Sequence, residues 1–158
     1  MSQQGLETIE STTHKTHEWI ARIAGTLHMD KREAWKSLRV VLHTVRDRLP
    51  LEVAVHFGAQ LPMLIRGMYY EGWEPSQVPV KLSLREFLEM IQQQIVSDRT
   101  INPVEITQAV LGVVTSYVGI GETDKVKHSF PSDMQNLFPA LASAAYVVWQ
   151  RPHGRKFS

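Results

Sequence analysis

Three observations in the sequence predict an all-α fold, a helical bundle of two pseudo-repeated three-helix units with a C-terminal helix laid over them. Apolar residues recur at steps of three and four through most of the chain, the period of a helix with one buried face. A stretch near Val40–Tyr70 recurs without a gap 69 residues later: Leu42 meets Leu111, Val45 meets Val114, Leu61-Pro62 meets Phe130-Pro131 and Tyr69 meets Phe138. Each unit carries a proline in its third helix (Pro62, Pro131), where the missing N–H and the ring break the ladder.

The elements follow in order. Residues 1–12 are polar and read as a loose tail. The first helix starts near Thr13–Thr16 and carries Trp19, Ile20, Ile23, Ala24 and Leu27 on one stripe. Asp30 with Glu33 has the spacing of a capping box, opening a second helix with a Trp35, Leu38, Leu42, Val45 and Leu49 seam. Pro50 closes that helix and suits the start of the third, whose apolar face is Ala54, Phe57 and Leu61. Beyond Pro62 a short helix reaches Tyr70, and Gly72, Pro75 and Pro79 mark an irregular linker.

Ser83 with Glu86 opens the second unit, where Phe87, Leu88, Ile91 and Ile95 repeat the first stripe. Asn102-Pro103-Val104-Glu105 starts a helix that Gly119 and Gly121 stop. Residues 122–128, the break at Pro131 and a short helix to Phe138 complete the copy. The expected organisation is one domain, 13–150: unit 13–73, linker 74–82, unit 83–138 and a capping helix 140–150, before a basic tail 151–158.

The totals exclude several classes. The 158 residues carry a formal charge of +1, from 17 basic and 16 acidic side chains, and no cysteine. Such a balance disfavours a nucleic-acid partner, and the missing thiols remove disulfides and Cys-zinc sites. No signal peptide or membrane span is legible, so a cytoplasmic protein is expected.

Two stretches then carry a resemblance: Val41-Leu42-His43-Thr44-Val45-Arg46-Asp47-Arg48-Leu49, and Gln60-Leu61-Pro62 running through Arg66-Gly67-Met68-Tyr69-Tyr70-Glu71-Gly72-Trp73. With Phe130–Phe138 as the matching repeat end, the chain from about Trp19 to Phe138 resembles the bacterial helical family of unknown function DUF2267. Phe130 stands where that repeat ending more often has Leu. The resemblance implies a duplicated helical fold in a bacterial cytoplasm, and neither an activity nor catalytic residues.

Candidate sites are few, and each has a plainer reading. His14 and His17, at i and i+3, could offer two imidazoles to a metal, or be solvated residues at a helix start; no carboxylate is read at a ligand-like spacing. His43 and His56 could share a site, or bond locally. Arg46 and Arg48 could grip a carboxylate or phosphate, or sit at a solvated helix end; the copy has Thr115 and Tyr117 there, so the repeat does not need the charges. Arg66 likewise matches Gln135. Tyr69, Tyr70 and Trp73 could anchor an interface, or tuck the linker onto the bundle.

No phosphate-binding loop or nucleophile elbow is present. The expected function is therefore non-catalytic, without a cofactor: a protein-interaction or self-association module, with a homodimer or an unidentified protein as partner. Tyr69, Tyr70, Trp73 and Arg66 would be its contacts. The alternative is a small-molecule or lipid pocket between the units, lined by Met63, Met68 and Met90. A His-based metal site or enzyme is the third reading.

Overall fold

The computed structural model describes residues 3–95 and 101–140. Seven α-helices follow one another: α1 (Gln3–Leu27), α2 (Lys31–Arg48), α3 (Leu51–Gly58), α4 (Met63–Tyr70), α5 (Leu84–Gln94), α6 (Pro103–Val118) and α7 (Ile120–Lys127). Short 3-10 segments occupy Pro75–Gln77 and Ser132–Leu137, and the described residues contain no strand. The capping helix expected beyond residue 140 and the tail 151–158 lie outside the described residues.

Local chemistry places the helix starts. Asp30 and Glu33 exchange side-chain-to-backbone bonds at the head of α2 (Glu33 N–H to Asp30 at 2.8 Å), and Ser83 and Glu86 do the same at α5. The Asn102 side chain accepts from the Val104 N–H at 2.8 Å, with Pro103 at the first helical position. Gly119 both ends α6 and starts α7; its φ of +100° is a turn that a side chain would strain.

The helices are spaced as the repeat predicts. Both ends of α3 map onto those of α7 across 69 residues, the separation at which Lys125 meets His56. Pro62 and Pro131 stand before their elements with nearly identical backbones, φ −58°, ψ 153° and φ −60°, ψ 157°. Leu42 and Leu111, Val45 and Val114, Ile65 and Met134, and Tyr69 and Phe138 are buried as pairs. Packing is crosswise: α1 lies on α6 and α5 on α2, while α3 faces α7. One continuous core results, with Trp19, Leu38, Phe57 and Tyr69 among its largest members. Each such side chain contributes roughly 1.5–3 kcal/mol by leaving water.

One expectation needs correction. The first ten described residues are not a loose tail: α1 begins at Gln3, and Thr12 is buried against the start of α4. Its hydroxyl accepts the Leu64 N–H at 2.9 Å. Pro62, at the N-cap, has no side-chain oxygen for that orphan donor, so a residue 52 positions away supplies one. The short helix expected between Pro131 and Phe138 is present, wound as a 3-10 helix over Ser132–Leu137.

Candidate functional site

Most candidate residues from the first unit converge where α2 crosses the C-terminus of α4. A helix end leaves carbonyls without partners inside the helix, and those of Met68, Tyr69 and Tyr70, with Glu71 just beyond, find donors here. Met68 O takes the His43 Nε2–H at 2.7 Å and the Glu71 N–H at 3.1 Å. Tyr69 O takes Arg46 Nη1 at 2.6 Å, Tyr70 O takes the Trp73 N–H at 3.2 Å, and Glu71 O takes Arg46 Nη1 again at 2.7 Å. The Arg46 Nε completes the set on Asp47 at 2.8 Å.

Arg46 is 3% exposed, neither a solvated helix-end residue nor a free anion clamp. Its cation lies at the negative end of another helix's dipole, α4 instead of its own. His43, three residues earlier, shares the task as a neutral ring donating from Nε2. Burial lowers its pKa, the Met68 carbonyl opposes that shift, and Arg46 and Arg39 reinforce it.

The aromatic group folds inward with the same junction. Tyr69 is fully buried, its hydroxyl donating to Ala54 O at 2.7 Å; burial raises its pKa well above the usual phenol value. Tyr70 and Trp73 are half-buried, their rings 5.4 Å apart, with Tyr70 edge-on to Tyr69 at 5.0 Å. Gly58 makes room for them: a Cβ there would stand 2.5 Å from the Tyr70 hydroxyl and 2.9 Å from Tyr69 Cε2. The tuck, rather than the exposed anchor, describes this group.

The other arginines differ from Arg46. Arg48 donates from Nε to Leu82 O at 3.1 Å and lies 5.8 Å over the Phe130 ring. Arg66 donates from Nη2 to Leu61 O at 2.9 Å, and its repeat counterpart Gln135 donates to Phe130 O at the same 2.9 Å. One N–H suffices for that bond. The rest of the exposed Arg66 guanidinium is therefore not required by the scaffold.

The histidines do not assemble. His14 meets Glu18 at 3.2 Å, a partner at i+4 that corrects the reading that no carboxylate follows; His17 is exposed. His56 sits on α3 beside Glu122 (3.1 Å) and Lys125 of α7, rimming a shallow cleft of about 410 Å³ over Val53, Phe57 and Val126. Among the described residues no three His, Asp or Glu side chains gather to hold a metal. Met63, Met68 and Met90 line no common cavity either: Met68 is core, while Met63 and Met90 are 55% and 38% exposed on α4 and α5.

A second cleft, about 470 Å³, opens between α1, the α3–α4 turn and the end of α6. Trp19 and Tyr117 stack at 5.1 Å in its wall, and Lys15 and Arg66 stand at its rim. No sequence pattern marks Lys15 or Tyr117, because their proximity arises only when α1 packs on α6.

Among the described residues, no helix is long and apolar enough to cross a membrane. A comparison with curated proteins returned no match. A family model described as an uncharacterized conserved protein, DUF2267, matches residues 16–137, which span all of α2 to α7 and the Pro-started segments of both halves. The chain belongs to the DUF2267 family.

Proposed function

We propose that the protein is a non-catalytic association module that pairs with a second copy of itself through the outer face of α4 and its flanks. The observation that carries this reading is the distribution of exposed apolar side chains. Of the eight large ones among the described residues, six lie on three adjoining helices: Leu6 and Ile9 on α1, Leu51 and Val55 on α3, Met63 and Leu64 on α4.

The Thr12–Leu64 bond joins α1 to α4, and the Tyr70 hydroxyl reaches Val55 O at 3.4 Å from the other side. Gly67, with open space around it, lets a partner helix approach closely. The grouping of these apolar residues on adjoining helices supports reading them as one face, and such a face suits a two-fold pairing of like with like. Tyr69, Tyr70 and Trp73 support the face from beneath and do not form it.

Sedimentation velocity tests the reading. The wild type should move at twice the 18.0 kDa chain mass at micromolar concentration, and Leu64→Lys with Val55→Lys should return it to the monomer with its helical content unchanged. A wild type that stays monomeric at about 100 μM, a weak-dimer concentration, refutes it.

A further inference from the structure

We infer that the cleft between α1, the α3–α4 turn and α6 is a binding site for a small carboxylate carried on an apolar body. Its rim and wall have separate chemistries. Lys15 and Arg66 bring two cations to the opening, and the one carboxylate there, Glu18, already contacts His14 at 3.2 Å. The apolar part of the wall is Tyr117, Val118 and Met63, beside Gln60, with the buried Trp19 stacked behind Tyr117. At about 470 Å³ the cleft falls in the size range of small-molecule sites.

The repeat supplies the decisive comparison. Gln135 makes the same carbonyl bond as Arg66 with an uncharged side chain, so the charge at position 66 is surplus to the fold. An exposed guanidinium with one N–H anchored on Leu61 O keeps further donors for a carboxylate fork. The corresponding positions of the second half carry different side chains. Phe87 (for Trp19) and Phe130 (for Leu61) pack at 5.8 Å, and Arg48, counterpart of Tyr117, lies over Phe130. The cation pair and the Trp19–Tyr117 stack thus belong to this half's own side chains and not to the repeat.

The test is a titration of the full-length chain with naphthoate, followed by ¹H–¹⁵N NMR, beside its neutral relative naphthylmethanol. Naphthoate should shift the Trp19 indole N–H and the backbone signals of Lys15 and Arg66, and added salt should weaken it. Arg66→Gln copies Gln135 and keeps the Leu61 bond, so the fold should hold while affinity falls about 10-fold, the size of a lost charge-assisted bond. Lys15→Gln touches no scaffold bond and should weaken binding several-fold; Arg85→Gln, on α5, should leave it unchanged. Equal binding of naphthylmethanol, undiminished affinity in both cleft variants, shifts elsewhere, or no shifts at millimolar naphthoate would each overturn the assignment. Because Met63 belongs to both the cleft and the α4 face, the titration is repeated on Leu64→Lys with Val55→Lys, neither of which lines the cleft; binding kept there separates the cleft from the dimer.

Discussion

Arg46→Met removes the guanidinium donors from the α2–α4 junction, leaving His43 on Met68 O, while keeping a side chain of similar length. Two carbonyls then lose their partner. Tyr69 O is buried, so water cannot replace the guanidinium, and a bond from a charged donor is worth about 1.5–3 kcal/mol. Glu71 O is only partly buried and rehydrates, adding roughly 0.5–1 kcal/mol. Asp47, 37% exposed, loses a partner at little cost. Removing a buried cation also regains its desolvation penalty, which would favour the variant if the whole group went with its partners. Here the carbonyls remain, so the loss wins. The expected destabilisation is about 3 kcal/mol, or a melting temperature lower by about 6–12 °C for a chain of this size. Urea unfolding followed by circular dichroism measures it, read as a lower midpoint at unchanged slope. A loss below about 1 kcal/mol would refute the claim that Arg46 caps α4, and would leave its burial without a physical account.

Other outcomes follow from the same junction. Gly58→Ala should destabilise by about 1–3 kcal/mol through the clash with Tyr70 and Tyr69, despite the roughly 1 kcal/mol that alanine gains in a helix; adding Tyr70→Leu should recover part of the loss in the same urea assay. His43 gives the fold a pH dependence. Its folded pKa lies below the unfolded value, so the native state binds fewer protons, and stability is full above about pH 6.5 and falls as the pH drops through that value towards the lowered one. His43→Gln, which can still donate to Met68 O, should flatten that slope; an unchanged slope would assign the acid sensitivity to another group.

Periodicity and punctuation carried most of the fold. The stripes of α2 and α6, both capping boxes, the Asn102-Pro103 start and the two proline breaks are local signals, decided by side chains within a few residues of one another. The start of α1 was not legible, because Leu6 and Ile9 are half-exposed and the residue that holds the segment, Thr12, turns its hydroxyl to α4, 52 positions away. The candidate residues were legible as a group but not in their roles. Comparing Arg46 with Thr115 shows that a repeat can fold without the charge; it does not show that this repeat's α4 has carbonyls needing a donor from α2. A 3-10 segment replaces α4 in the second half, so the two ends face different demands.

The sequence by itself determined that the chain is helical, where most helices begin and break, and which faces are apolar, since these depend on backbone sterics and on the helical period. Only the tertiary structure decided which arginine is buried and which has donors to offer. That depends on what lies opposite each side chain, and α2 meets α4, and α1 meets α6, only after the two halves have packed crosswise.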